Sequence, residues 1–255
     1  MNTYDLKTSL LSININIEDT LKQISTPYTS CDHLGQWLGI LTTFYYSRAI
    51  LRFLVEGDIN GFFKDLNREA LTYQTLLNAY HNKINVREED IDGTTYIPLI
   101  SAIAAGNFDL ADKIARLMEG NRGDYDTDCG LAYTAILRYL VIGNNEDIKI
   151  AFDKFGQMCK KQEKSSKIIE GLVMEDTDLF NDGLKNYLES FEDLSEEELE
   201  EMEPGDEYIS VEALAYIQLA KRKGIEVNVA HRMIPTELQD VRLLMPESEY
   251  PVWLN

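Results

Sequence analysis

The sequence predicts an all-α protein: an irregular array of antiparallel helical hairpins with tetratricopeptide-like packing, ending in a short extended segment. Three observations carry that prediction. Apolar residues recur at spacings of three and four through most of the chain, the period of a helix with one buried face. A unit of apolar pair, Gly and Asp or Asn occurs in four versions between Ile50 and Leu184. The run from Ser210 to Gly224 has helix-start chemistry at one end and helix-stop chemistry at the other. The 255 residues read as one domain, with hairpin repeats over 33–190, an acidic connector over 191–207, and a C-terminal helix and extended tail over 208–255. A chain of this length buries about 70–75 % of its unfolded surface, enough for a sizeable core.

The first element is a helix over Leu6–Gln23, where Leu6, Leu10, Ile13, Ile17 and Leu21 share a face. Ile13, Ile15 and Ile17 also alternate with Asn14 and Asn16, as in a strand, so periodicity alone leaves both readings open there. Pro27 and the Ser30–Asp32 turn separate this element from a long helix over His33–Glu56.

That helix opens the repeats. They read ILRFLVEGDINGFFKDL from Ile50, LISAIAAGNFDLADKIA from Leu99, ILRYLVIGNNEDIKIAF from Ile136 and IIEGLVMEDTDLFNDGL from Ile168. Aligned on Gly57, Gly106, Gly143 and Glu175, their apolar positions coincide before and after the turn. The Gly is expected to close one helix in a left-handed conformation, and Asp58, Asn107 or Asn144 to cap the next. Each copy is thus a hairpin that must stack on its neighbours to bury its face. The reference points lie 49, 37 and 32 residues apart, unlike the fixed period of about 34 in tetratricopeptide repeats. Between the copies, a helix continues over Lys64–Tyr80, Asn82–Gly93 is a charged connector, Gly120–Asp128 a polar loop, and Lys160–Lys167 a basic link. Glu196–Met202 has the pattern of a short surface helix, with Ser195 and Glu198 at capping-box spacing.

From Tyr208 to Leu238 the chain reads YISVEALAYIQLAKRKGIEVNVAHRMIPTEL. Ser210 caps a helix, Glu212 lies in its first turn, and Lys221, Arg222 and Lys223 load the last turn before Gly224. Val211, Leu214, Ala215, Ile217 and Leu219 mark its buried face. Ile225, Val227 and Val229 then alternate with polar residues, as in an extended segment, and Met245–Asn255 with its two prolines should lie extended. This order resembles the C-terminal signature of the bacterial immunity protein 49 family. The resemblance rests on Ser210, Glu212, Ala213, Ala215, Tyr216, Leu219, Ala220, Gly224, Ile225, Glu226, Val227, Ile234, Pro235, Glu237 and Leu238, with Tyr250, Trp253 and Leu254 similar to the family's apolar tail. It implies an immunity protein that binds and neutralises a cognate secreted bacterial toxin.

Charge sets the kind of partner. With 24 basic and 44 acidic residues the chain carries −20, and Glu175–Glu207 alone holds fifteen acids against Lys185. Such a field repels nucleic acid and anionic membrane and attracts basic surfaces. The residues expected at a partner interface are Asp178, Asp182, Glu189, Glu192, Asp193, Glu196, Glu197 and Glu200, with Tyr187 and Phe191 as aromatic contacts. They suit a toxin with a basic surface, a nuclease being one such class. The alternatives are a solvated linker with Tyr187 and Phe191 in the core, and a helical-repeat scaffold that recruits a partner through its inner face.

Nothing in the sequence points to catalysis or a cofactor. Asp124, Asp126 and Asp128 imitate half a calcium loop, but Cys129 and Ala135 stand where an EF-hand needs Gly and Glu. His33, His81 and His231 are too scattered for a metal site, and no phosphate loop, GxSxG or HExxH occurs. Cys31, Cys129 and Cys159 form no CxxC, so free thiols and a cytoplasmic location are expected. No unbroken run of about 18 apolar residues marks a membrane span, and the N-terminus lacks the pattern of a secretory leader.

Overall fold

A computed structural model describes residues 3–25, 33–84, 86–91, 95–118, 129–143, 145–158, 164–192, 194, 195, 197, 202 and 205–241. All regular structure among them is helical. The first helix, α1 (Thr3–Ser25), resolves the ambiguity at Asn14–Asn16. Leu6, Leu10, Ile13, Ile17 and Ile24 are buried on one helical face, whereas Ile15 is exposed, so the three-and-four period prevails over the alternation.

The four repeats fold as four hairpins. They are α2 (Leu34–Glu56) with α3 (Ile59–His81), α4 (Ile97–Ala104) with α5 (Phe108–Leu117), α6 (Cys129–Ile142) with α7 (Asn145–Met158), and α8 (Ser166–Met174) with α9 (Thr177–Glu189). Gly57, Gly106 and Gly143 adopt φ of 66°, 66° and 79°, the left-handed conformation that ends each first helix. Glu175 takes the same conformation at φ 56° despite its side chain. Asp58, Asn107 and Asp176 then accept hydrogen bonds from the N–H groups of Gly61, Leu110 and Leu179, capping the second helices. The third cap, Asn144, lies outside the described residues. In the last hairpin the backbones approach closely, because a Cβ on Gly171 would lie 2.5 Å from the Phe180 nitrogen.

Neighbouring hairpins are joined by polar side chains as well as by the core. Asn107 donates to Asn67 at 2.8 Å, and Asn67 donates to the Phe63 carbonyl, so the cap of α5 is tied to α3 inside the protein. Arg138 of α6 and His81 of α3 approach the Ala115 and Leu117 carbonyls, both at 2.8 Å, satisfying the C-terminal end of α5.

An arginine cluster binds α2 to α3. Asp65 has a fully buried side chain and accepts from Arg48 at 2.8 and 2.7 Å, from Arg68 at 2.6 Å and from Arg52 at 3.3 Å. Arg52 also pairs with Asp58 at 2.8 Å, and Arg48 reaches Asn14 of α1 at 3.5 Å. These charges explain how α2 behaves. It is long and apolar enough to cross a membrane, with mean hydropathy 1.2 in its most apolar window, although Thr, Ser and Arg residues interrupt its apolar run. In this fold it packs between α1 and α3, with Arg48 and Arg52 turned onto Asp65.

The helix α10 (Val211–Arg222) occupies a place that its sequence pattern understates. The expected face is buried, and so are Ala213, Tyr216, Gln218 and Ala220, because α10 does not stack beyond α9 but lies against α4 and touches α8. Its ends are as expected: Ser210 accepts from the Ala213 N–H at 3.1 Å, and Gly224 is left-handed at φ 75°. The segment from Ile225 to Ala230 has no regular structure, and a single turn, α11 (Thr236–Gln239), follows. Lys221 and Gln218 donate to the Gln239 carbonyl at 2.7 and 3.0 Å, holding that exit against α10. One buried cluster runs from Leu6 to Leu238.

The tail at Met245–Asn255 with Tyr250, Trp253 and Leu254, the Asp124–Asp128 loop, and most of the proposed helix at Glu196–Met202 lie outside the described residues. Cys129 is disulfide-bonded, which corrects the expectation of free thiols; Cys31 and Cys159 also lie outside the described residues. No CxxC spacing includes Cys129, so the sequence around it carries no signal of that bond.

Candidate functional site

The acidic residues of α9 form an outward stripe. Asp178, Asp182 and Glu189 are exposed at spacings of four and seven, so they share a face, with Lys185 between them. Phe180, Leu184 and Leu188 on the opposite face are buried, which orients the stripe to solvent. Lys185 lies 3.7 Å from Glu189 and neutralises part of that end. Glu175 begins the same side of the hairpin and pairs with Lys223 at 3.1 Å. Glu192 is exposed and lies 3.4 Å from the His231 ring, while Glu197 is exposed. Asp193, Glu196 and Glu200 lie outside the described residues.

Of the two readings open for the aromatic residues, the structure favours the core. Tyr187 is buried, and its hydroxyl donates to Glu212 at 2.9 Å. Phe191 is half-buried, packs edge-on against Tyr187 at 5.2 Å, and has the Lys164 ammonium over its ring at 5.7 Å.

Tyr187 belongs to a constellation that sequence reasoning missed. Glu212, placed in the first turn of α10 by the Ser210 cap, accepts from Tyr216 at 2.5 Å and from Tyr133 on the same oxygen. Its other oxygen accepts from Tyr187, and the Tyr133 and Tyr216 hydroxyls also touch each other. Tyr96 packs edge-on against Tyr133 at 4.9 Å. Burial raises the pKa of Tyr133, Tyr187 and Tyr216 well above the ordinary phenol value, and the neighbouring Glu212 charge adds to it. The phenols therefore stay protonated and serve as donors. The arrangement joins α6, α9 and α10 through one carboxylate and so fastens the three helices together.

A second buried polar group lies where the acidic connector ends. Tyr46 of α2 donates to Asp206 at 2.9 Å across 160 residues. A Cβ on Gly205 would meet Ile50 at 2.5 Å, so this stretch packs directly on α2 instead of extending into solvent. Glu69 of α3 is fully enclosed nearby, and burial pushes its carboxyl pKa well up; the Ser101 hydroxyl opposes that shift and Asp206 adds to it. No described His, Cys, Asp and Glu side chains gather in a group of three or more that could hold a metal ion.

Part of this region carries a family signature. Residues 136–238, from α6 through α11, match the model of the Immunity protein 49 family. The match takes in the acidic stripe of α9 and both Glu212 and Tyr216. No curated protein and no solved structure matches the chain.

Proposed function

We propose, starting from the match of residues 136–238 to the Immunity protein 49 family, that this chain is an immunity protein: it binds a cognate secreted bacterial toxin and neutralises it by occupancy, without catalysis. That match is the observation that carries the reading. The contact surface in this proposal is the outward acidic side of α9, Asp178, Asp182 and Glu189, together with the exposed Glu192 and Glu197, and the matching partner is a toxin with a basic surface, such as a nuclease. Opposite charge on two such faces speeds encounter toward roughly 10⁸–10⁹ M⁻¹s⁻¹ at low salt, which suits an inhibitor that must act before damage is done. The burial of α10 against α4 and α8 supports an outer contact surface over recruitment through an inner groove, because that helix takes up the interior.

Co-expression with the toxin domain encoded beside this chain tests the immunity reading. Rescue of growth and co-purification are the expected results; a toxic domain that neither binds nor is silenced refutes the assignment for that pair. The acidic surface has its own test. The triple variant Asp178→Lys, Asp182→Lys and Glu189→Lys should slow association at low salt at least tenfold, and stopped-flow rates unchanged by it or by ionic strength would move the contact elsewhere while leaving immunity standing.

A further inference from the structure

The outer face of α1 has no covering element among the described residues. Leu11 and Ile15 stand one turn apart with 62 % and 51 % of their surface exposed, although the opposite face of the same helix is core. Beside them runs a shallow groove of about 390 Å³ between α1 and the end of α2, lined by Lys7, Leu10, Leu11, Asn14, Val55 and Glu56. A knob and a hole therefore lie side by side on one surface.

We infer that this face binds the same face of a second copy of the chain, with the two α1 helices antiparallel about a two-fold axis. The charge pattern selects that occupant and that direction. Lys7 stands near one end of the exposed stripe and Asp19, which also pairs with Lys22 of its own helix at 2.9 Å, near the other, with Leu11 and Ile15 between them. Antiparallel pairing centred at the level of Ile13 sets Lys7 of each copy against Asp19 of the other and Leu11 against Ile15. It also brings Asp5 within a turn of Lys22 of the other copy. Parallel pairing would set like charge on like. The self-complementarity is what an isologous contact requires, and each Ile15 then enters the groove beside the other copy's Leu11. The face also repels a second copy less than the acidic side of α9 does: α1 carries two bases and three acids, α9 one base and three acids. A basic partner would be drawn to the acidic side of α9 instead.

Sedimentation velocity on the full chain at rising concentration tests this. A monomer–dimer equilibrium is expected for the native sequence, and a chain that stays monomeric up to about 1 mM overturns the inference. The double variant Leu11→Glu/Ile15→Glu, with circular dichroism as the control for folding, should be monomeric throughout; a dimer that survives it lies elsewhere and overturns the proposed face. Mixing supplies an arm that does not depend on the apolar pair. Lys7→Glu and Asp19→Lys should each weaken the dimer at least threefold, and an equimolar mixture should recover it, since the heterodimer restores two opposite-charge pairs. Failure to recover on mixing overturns the antiparallel arrangement.

Discussion

Replacing Asp65 with Asn keeps the side chain's size and removes the one charge that three guanidinium groups share. The native carboxylate accepts four hydrogen bonds, at 2.8, 2.7, 2.6 and 3.3 Å, from a side chain with no solvent exposure. Charge-assisted hydrogen bonds contribute about 1.5–3 kcal/mol each, but summing four of them overstates the loss. Arg52 is the most exposed of the three and retains Asp58 at 2.8 Å, so its share is screened and partly replaced. Arg48 and Arg68 have side chains only 12 % and 11 % exposed, and once the carboxylate is gone their positive charges face each other there. Breaking a buried pair in this way costs about 3–5 kcal/mol. For a chain of this size, that lowers the melting temperature by roughly 6–20 °C. Urea unfolding followed by circular dichroism measures it, and the midpoint should fall without a change in slope. Adding Arg48→Met to Asp65→Asn should recover part of the loss, since it removes an uncompensated charge. A destabilisation below about 1 kcal/mol, in the range of a solvent-screened surface pair, refutes the claim that Asp65 holds α2 to α3.

Three further outcomes are expected. Glu175→Gly should stabilise the protein by up to about 1 kcal/mol in urea unfolding, because Gly adopts the left-handed turn at φ 56° without a Cβ penalty; a net loss would mean that the Lys223 pair outweighs that strain. Glu212→Ala should cost about 1–3 kcal/mol for each phenol left without its acceptor, and Glu212→Gln should cost less; equal stability of all three proteins in a thermal melt would count against the fastening role. Glu69 has its carboxyl pKa raised by burial above the ordinary value of 4.5, so the native state holds a proton that the unfolded state releases. Its contribution is fully present below that value and is lost as pH rises toward the folded one. Unfolding free energies measured across that window should therefore fall less steeply for Glu69→Gln than for the native chain, and parallel curves would contradict this.

The hairpins were legible in the sequence because each is specified locally. A left-handed residue, a capping side chain and apolar positions at helical spacing all lie within about 17 residues, and even Glu175 could be aligned by the apolar positions around it. The acidic stripe of α9 was legible for the same reason. What could not be read was long-range. The residues of α10 present one apolar face in sequence, and its burial on the remaining sides follows from its place against α4, more than a hundred residues earlier. The partners of Glu212 lie at positions 133, 187 and 216, with only Tyr216 at a helical spacing that points back to it. Arg48 and Arg52, four apart on a mostly apolar helix, and Arg68, three residues from Asp65, were the available hints that Asp65 had a buried partner set.

The position of α10 also bears on how the chain is made. Ribosomes release α4, α6, α8 and α9 well before α10, yet those helices meet its Glu212, Tyr216 and apolar side chains in their interior. Until Val211–Arg222 have been made, the side of α4 that α10 covers lacks its partner. A chain stopped before Val211 should therefore expose apolar surface on α4 and leave Tyr133 and Tyr187 without their shared acceptor.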